Sequence, residues 1–150
     1  MKVSALMTTP PVTVSHQATA AEAAVLMAEE AVGCVMITEG DILCGVLADR
    51  DIVVRGVAQA ARPDEPVTRL MSTPVVTVSA SEDLDVAYQL YRREDIRRLP
   101  VFDSGRLVGV LSIDDLFADA LQRLADLLGP VSWSALREQT GSCPRPRSLP

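Results

Sequence analysis

The sequence predicts a mixed α/β (α+β) fold built from two copies of one β-α-β-β-α unit. Three observations predict it: a repeat with a constant offset, short apolar runs of strand length, and helix-capping signals between those runs. Leu-Met-Thr-Thr-Pro at 6–10 recurs as Leu-Met-Ser-Thr-Pro at 70–74, an offset of 64 residues that holds without a gap to Asp51 and Asp115. Because a unit of about 60 residues is marginally stable alone, we expect the copies to share a core.

The first unit, expected over 1–60, begins with a helical turn and ends with a helix. Its predicted elements are a turn over 3–7, a strand over 12–14, a helix from a capping box at Thr19 and Glu22 through Glu30, hairpin strands over 34–38 and 42–47, and a helix from Ala48 to about Gln59. The prolines at 63 and 66 predict a linker over 61–66.

The second unit, expected over 67–128, repeats the same order. Its predicted elements are a helical turn, a strand over 76–78, a helix over 81–93, strands over 98–102 and 107–111, and a helix from Ile113. Gly129 and Pro130 are predicted to end this last helix. A C-terminal extension is expected over 129–150, with a short helix over 132–139 that Trp133 pins to the body, and with disorder from about 141.

Composition limits the classes of partner. Acidic residues outnumber basic ones, 20 to 14, and the net charge of −6 argues against nucleic acid, which needs clustered cations. Hydrophobic residues make up 48% of the chain but aromatic residues only 3%, so the core must be aliphatic. No apolar run approaches the roughly 20 residues that span a bilayer, and no secretory signal is visible. A cytoplasmic location without membrane contact is the expectation.

The cysteines and the single histidine, His16, are too few for a zinc or transition-metal site. The same shortage disfavours nucleophilic catalysis, so we expect no catalytic residue, no metal and no catalytic cofactor. Cys34 and Cys44 lie on the two arms of the first hairpin. With the turn centred on position 40, Cys34 faces Val46 and Cys44 faces Met36, which would strain a disulfide and favours reduced thiols.

The corner where a strand turns into a helix carries the strongest functional signal. In the second copy Ser112 is placed to cap the helix, and Asp115 three residues later completes a capping box. A hydroxyl, a carboxylate and a helix N-terminus at the end of a strand also suit a ligand with vicinal hydroxyls and a phosphate. A capping role alone is the alternative. Because the first copy has Ala48 in place of the hydroxyl and keeps Asp51, the carboxylate is the group that we predict to bind ligand.

The order of these motifs resembles a tandem pair of CBS domains, the Bateman module, which implies that a pseudo-twofold axis relates the two units. The resemblance rests on the gapless repeat, on the Gly-x-x-Ser/Thr-x-x-Asp corner at 109–115 and on the Ile-Arg-Arg-Leu-Pro-Val strand at 96–101, and it covers residues 1 to about 124. The chain most resembles the stand-alone bacterial CBS-pair proteins, some of which are stress or hypoxic-response proteins. The Asp-Arg-Asp-Ile stretch at 49–52 is typical of that group.

The resemblance implies a non-enzymatic regulatory module. Its ligand would be an adenosine-containing nucleotide such as AMP, ADP, ATP, NAD(H) or S-adenosylmethionine, bound in clefts between the repeats. The resemblance also implies a homodimer of antiparallel modules, and a protein partner of unknown identity could respond to occupancy. An interaction or dimerisation protein that has lost nucleotide binding is the alternative. The identity of the nucleotide and the number of occupied sites stay open.

Carried over residue by residue, the resemblance assigns ligand contacts to both copies. Asp51 and Asp115 would accept hydrogen bonds from the ribose hydroxyls, and Ser112 would hold a ribose or phosphate oxygen. Because Ala48 lacks a hydroxyl, the Asp51 site is expected to be weaker or differently selective. Arg55, four residues after Asp51, suggests a helical ion pair with it. The remaining predicted contacts are Thr13 and Thr77 at the base, Val35, Met36, Leu99 and Pro100 as apolar faces for adenine, and at least one of Arg50, Arg97 and Arg98 at a phosphate.

Overall fold

A computed structural model of the chain describes the backbone of residues 1–140 and the side chains of residues 1–131. The chain divides into two compact units, Met1–Ile113 and a second unit that begins at Asp114. The first unit holds two three-stranded sheets. It also holds Ile113, the first residue of the long C-terminal helix, and the second unit holds the rest of that helix. This mixed fold with two repeated β-α-β-β arrangements confirms the predicted fold class.

The first sheet is arranged around its central strand, β2 (Cys34–Glu39). Strand β1 (Thr13–Ser15) pairs with β2 in parallel, and β3 (Ile42–Ala48) pairs with it antiparallel. Helix α1 (Ala20–Glu29) connects the parallel strands, which is the crossover that parallel pairing requires. The capping box predicted at the start of α1 is present, with Thr19 as the cap residue.

The second sheet repeats this arrangement around β5 (Arg98–Asp103). Strand β4 (Val78–Ser79) is parallel to β5, and β6 (Arg106–Ser112) is antiparallel to it. Helix α4 (Leu84–Glu94) is the crossover between β4 and β5. Strands β1 and β4 begin one and two residues later than predicted, and α4 begins three residues later.

Short helical segments open both copies and close the first. A 3₁₀ turn covers Val3–Ala5, and the corresponding segment of the second copy is helix α3 (Val67–Leu70). Helix α2 (Asp49–Asp51) passes into a π-helical turn over Ile52–Gly56 and then into a 3₁₀ turn over Val57–Gln59. The first copy thus ends in an irregular helical stretch with the span that the sequence predicts.

The opening segment of each copy pairs with the sheet of the other copy. Thr8 and Val110 exchange backbone hydrogen bonds of 2.9 and 3.0 Å, and Ser72 and Val46 exchange bonds of 2.8 and 3.3 Å. A glycine allows this close approach, because a Cβ at Gly109 would lie only 2.7 Å from the Thr8 carbonyl oxygen. Each sheet is therefore completed by chain from the other copy.

The core is aliphatic and shared between the copies, as the sequence predicts. Val67 and Leu70 of α3, which opens the second copy, are buried in the core of the first copy. The cluster around α1 comprises Ala18, Ala20, Ala23, Met27, Val35, Ile37, Leu47, Val67 and Leu70. Because this cluster draws on both copies, removing either copy would expose apolar surface in the other.

The predicted end of the last helix is wrong. Helix α5 runs without interruption over Ile113–Thr140. Gly129 does not take the positive φ of a helix C-cap, and Pro130 removes only one N–H, so the helical hydrogen bonds resume after it. The short helix predicted over 132–139 is part of α5. The contact predicted for Trp133 and the disorder predicted from 141 lie outside the described residues.

The predicted register of the first hairpin is also wrong. Cys34 lies opposite Ala48 and Met36 lies opposite Val46, while Cys44 falls at a bulge between two pairing registers. The turn between Glu39 and Ile42 consists of two residues, and the bulge adds one residue to β3. The observed pairing therefore differs from the pairing predicted for a turn centred on position 40. Cys34 and Cys44 are free thiols, as predicted.

Candidate functional site

The corner of the first copy joins the end of β3 to the start of α2. Ala48 has extended backbone angles and Asp49 begins the helix. The Ala48 N–H donates to Asp51 Oδ2 at 2.9 Å, and the Asp49 N–H donates to the carbonyl of Gly33 at 3.0 Å. These two bonds hold the corner against the residue that precedes β2. The half-buried Asp51 carboxylate is thereby fixed at the end of the sheet.

Asp51 has a structural role as well as a possible ligand role. Its Oδ2 accepts the Ala48 N–H, so the acid caps the corner although the hydroxyl is missing. Retention of the acid without the hydroxyl is therefore explained in part by this capping bond. Among the described residues, Oδ1 accepts no hydrogen bond, and the Arg55 Nε lies 4.0 Å from it. One oxygen of the carboxylate is therefore left for a ligand hydroxyl.

Arg55 forms the predicted i, i+4 ion pair with Asp51 and also ties the two copies together. Its Nη1 donates to the carbonyls of Leu70 and Met71 at 3.1 and 2.9 Å. These carbonyls end α3, where a helix has unsatisfied acceptors. Arg55 thus links the corner of the first copy to the segment that opens the second.

Arg98 of the second copy reaches the corner of the first. Gly33 has no side chain, and a Cβ placed there would lie 3.7 Å from Arg98 Nη2 and 3.5 Å from Asp49 Oδ2. Arg98 as a residue is half-buried, and its Nη1 donates to the carbonyl of Arg97 at 3.1 Å. A cation from one copy therefore lies beside the strand-to-helix corner of the other.

Cys34 occupies the position in the first copy that Arg98 occupies in the second. Burial raises the pKa of the Cys34 thiol, and the Arg98 guanidinium, which hydrogen-bonds to the thiol, offsets part of that shift. The carboxylate of Asp49 adds a smaller contribution that raises it further. The thiol is therefore neutral at physiological pH, and it serves as a partner for Arg98 rather than as a nucleophile.

Several predicted contacts lie at the surface. Arg50 is exposed in the first turn of α2, and Arg97 is exposed immediately before β5. Thr13 is exposed in β1, and Thr77 is exposed just before β4, so the two threonines occupy equivalent places at the starts of the two sheets. Of the three candidate arginines, Arg98 is the one that the structure brings to the corner of the other copy.

Four predicted contacts lie inside the fold. Val35, Met36, Leu99 and Pro100 are each less than 2% exposed, on the central strands of their sheets. None of these side chains offers surface to an adenine ring in this structure. Their contact with the base stays a prediction, and it would require neighbouring side chains to move.

The corner of the second copy repeats the backbone geometry of the first. β6 ends at the half-buried Ser112, and the Ile113 N–H donates to the Arg97 carbonyl at 3.1 Å. This bond is the equivalent of the one from Asp49 to Gly33. Asp115 belongs to the second unit, where it is half-buried in the first turn of α5. Ser112 and Asp115 stay predicted ligand contacts.

Across the described residues, no three histidine, cysteine or acidic side chains are grouped so as to hold a metal ion. Within the same part of the chain, no helix combines the length and apolar character needed to cross a bilayer.

Sequence reasoning missed the contacts that cross between the copies. The roles of Gly33 and Cys34 beside Arg98, and of Arg55 at the end of α3, were not predicted. One signal was available: aligning the copies places the small Gly-Cys pair at 33–34 opposite the Arg-Arg pair at 97–98. Small residues in one copy opposite large cations in the other are compatible with the contact between Arg98 and Gly33 that the structure shows.

The fold and its corners define a protein made of two β-α-β-β-α repeats, each with an acidic residue behind a strand-to-helix turn. The chain belongs to the CBS-domain family, whose model matches residues 3–56 and 67–121. These matches cover most of the described chain and contain both corners.

Known relatives agree with this assignment. The CBS domain-containing protein YhcV of Bacillus subtilis (strain 168) is 42% identical over 110 residues, which cover 73% of this chain and 79% of YhcV. The CBS domain protein PAE2072 from Pyrobaculum aerophilum, complexed with AMP, is 33% identical with a TM-score of 0.71, covering 77% of this chain and 90% of that one. Hypoxic Response Protein I, with two coordinated zinc ions, is 28% identical with a TM-score of 0.70, covering 79% and 98%.

Proposed function

We propose that this CBS pair is a non-enzymatic regulatory module that binds an adenosine nucleotide as a homodimer and changes its conformation or partner affinity with occupancy. The observation that carries the proposal is the Asp51 carboxylate. It is fixed at the end of β3 by the Ala48 N–H, and its Oδ1 accepts no hydrogen bond among the described residues. A half-buried oxygen of this kind is suited to a ligand that brings hydroxyl donors.

The sugar of a nucleoside supplies such donors. Hydrogen bonds to a charged acceptor are worth about 1.5–3 kcal/mol each, roughly twice the value of neutral ones. By the 64-residue equivalence of the copies, Asp115 is proposed to play the same part in the second copy, with Ser112 adding a hydroxyl. The AMP held by the relative PAE2072 supports an adenosine ligand.

Two arginines are the proposed contacts for phosphate. The half-buried Arg98 brings its guanidinium to the first corner, and Arg50 is exposed on the first turn of α2. A planar guanidinium matches two phosphate oxygens and is weakly hydrated, so a half-buried arginine can bind an anion at moderate cost. AMP, ADP, ATP and NAD(H) carry such phosphates, whereas S-adenosylmethionine does not. A phosphate-bearing nucleotide is therefore the preferred ligand of the first copy.

The proposal is tested by isothermal titration calorimetry with AMP, ADP, ATP, NAD⁺ and S-adenosylmethionine. Wild type is compared with Asp51→Asn and Asp115→Asn. Asparagine at position 51 keeps an oxygen that can accept the Ala48 N–H and removes the charge, so the corner is preserved. Each variant is expected to lose about tenfold or more in affinity at its own site, because about 1.4 kcal/mol is a factor of ten.

The matched control is Asp41→Asn in the exposed turn of the first hairpin, which should bind like wild type. Circular dichroism and thermal unfolding establish that each variant is folded. If neither corner variant changes the affinity, the carboxylates are not the ligand contacts. If no adenine compound binds wild type, the nucleotide proposal is overturned and the interaction module without a nucleotide takes its place.

A further inference from the structure

Helix α5 carries an apolar stripe of heptad spacing that the family match does not include in full. The match ends at residue 121, and α5 continues to Thr140. Large apolar side chains recur at intervals of four, three, four and three residues. They are Phe117, Leu121, Leu124, Leu128 and Val131, and we refer to them as the α5 seam. Each side chain of the seam is between 51% and 66% exposed.

The spacing of the seam indicates what covers it. Large side chains that repeat every 3.5 positions have the spacing by which one helix packs against another. With Leu121 and Leu128 at the a positions, Phe117, Leu124 and Val131 occupy the d positions. The seam is about 21 Å long at 1.5 Å per residue. A second helix of similar length fits such a seam.

The flanking positions of the seam are uncharged. The described e and g positions hold Ala118, Ala120, Ala125 and Leu127. Charges at e and g are what select a different partner or repel an identical one, and here neither effect operates. Alanine at these positions also allows two helices to approach closely. The flanks therefore carry no charge that would repel an identical helix.

The charged residues of this stretch lie away from the seam. Between 117 and 131 they are Asp119, Arg123 and Asp126, at positions f, c and f. Arg123 Nε pairs with Asp119 Oδ2 at 2.8 Å along the polar face. Gly129 and Pro130, the residues least suited to a helix, are also on this outer side, at b and c. An anionic lipid surface is a poor fit, because helices that lie on membranes carry lysine and arginine on the polar face.

We propose that the α5 seam pairs with the α5 seam of a second copy of this chain as a short two-helix coiled coil. This inference rests on the homodimer of the proposed function and names the surface through which that homodimer forms. The pairing of the helices does not depend on nucleotide binding. The partner helix buries the five seam side chains of each copy. Leu124 is the middle residue of the seam, so it lies inside the contact whether the two helices are parallel or antiparallel.

The first test is sedimentation equilibrium of the full chain over a wide range of protein concentration. Wild type is expected to be dimeric, and Leu124→Glu is expected to weaken the dimer by about 100-fold or more, because it places two carboxylates at the centre of an apolar contact. Gln122→Glu adds the same charge at a b position and gives up only the exposed hydrogen bond from Gln122 Nε2 to Asp126 Oδ1 at 2.9 Å. It is the matched control and should dimerise like wild type. Leu124 is 53% exposed, so the variant is expected to fold.

The second test is an oxidative cross-link in the Leu124→Cys variant under mild copper-phenanthroline treatment. A disulfide-linked dimer above the level formed by wild type, which carries its own three cysteines, is expected. A wild type that stays monomeric at every protein concentration overturns the proposal. If that monomer also sediments with phosphatidylglycerol vesicles, the seam binds a lipid surface instead. A Leu124→Glu dimer as tight as wild type overturns it as well. Calorimetry with AMP on the monomeric variant separates this result from the nucleotide proposal.

Discussion

The two copies of the repeat have the same backbone and different side chains where they meet. The Asp49 N–H donates to the Gly33 carbonyl at 3.0 Å, and the Ile113 N–H donates to the Arg97 carbonyl at 3.1 Å. The exchanged pairings of the opening segments are likewise duplicated. The side chains at these places differ, since a Gly-Cys pair in the first copy stands where the second has Arg-Arg. Backbone hydrogen bonds thus preserve the symmetry that the side chains break.

This difference makes the two corners chemically unequal. Arg98 is long enough to cross from the second copy to Gly33 and Asp49 of the first. The equivalent residue, Cys34, is short and uncharged, so it cannot bring a cation to the second copy. The first corner lacks the hydroxyl but gains a guanidinium, and the second keeps the hydroxyl. A duplicated frame can therefore serve two sites with different preferences.

The largest expected difference in stability between the copies concerns two glycines at equivalent positions, Gly45 in β3 and Gly109 in β6. A Cβ at Gly109 would meet the backbone oxygen of Thr8 at 2.7 Å, whereas a Cβ at Gly45 would meet the side chain of Met71, which can rotate. Gly109→Ala should lower the free energy of unfolding by about 1–3 kcal/mol, and Gly45→Ala by less. Urea denaturation measures both, and an equal loss would show that the two crossings are equally rigid.

A buried hydrogen bond present in only one copy is the next test. Tyr91 donates its hydroxyl to the Leu111 carbonyl at 2.5 Å, while the equivalent residue of the first copy, Met27, has no donor. Tyr91→Phe should destabilise the protein by about 1–2 kcal/mol, because a buried acceptor loses its partner. Tyr88→Phe on the same helix removes a hydroxyl from a side chain that is 41% exposed, and it should change stability by less than about 0.5 kcal/mol. Thermal unfolding that gives similar losses for both variants would refute the assigned role.

The smallest expected effect concerns the starts of α1 and α4. The Glu22 N–H donates to Thr19 Oγ1 at 3.2 Å, and the Thr19 N–H donates to Glu22 Oε2 at 2.8 Å. The equivalent cap of α4, Asp83, makes no side-chain capping bond and lies 3.1 Å from Lys2 Nζ. Thr19→Ala should cost about 1 kcal/mol. Asp83→Ala should cost about 0.5 kcal/mol or less, since its ion pair is exposed. Chemical denaturation that reverses this order would contradict the comparison.

Local patterns predicted most of the fold. The capping box at Thr19 and Glu22, the apolar runs of the hairpins and the 64-residue offset lead to the observed order of elements. These signals act over a few residues or recur unchanged, so they can be recognised without knowing any tertiary contact. The offset also predicted that the copies share a core, which the burial of Val67 and Leu70 confirms.

Where several local solutions compete, the sequence predictions were wrong. Gly129 and Pro130 are typical of a helix end, yet α5 continues, because one missing N–H does not prevent the next turn. The hairpin register depends on a bulge at Cys44, and no pattern around that residue distinguishes a bulged strand from a regular one. Asp51 shows the same ambiguity, because a carboxylate at this position can cap the corner and still have an oxygen for a ligand.

By itself, the sequence determined a duplicated CBS pair with an aliphatic core and an acid behind each corner, because repeats, periodicity and caps are local properties of the chain. Only the tertiary structure decided which side chains cross between the copies. Arg98 lies beside Gly33, and Arg55 lies at the end of α3, although 65 and 15 residues separate these pairs along the chain. Such contacts depend on how the two sheets are arranged in space, and the distance between two residues along the sequence does not predict that arrangement.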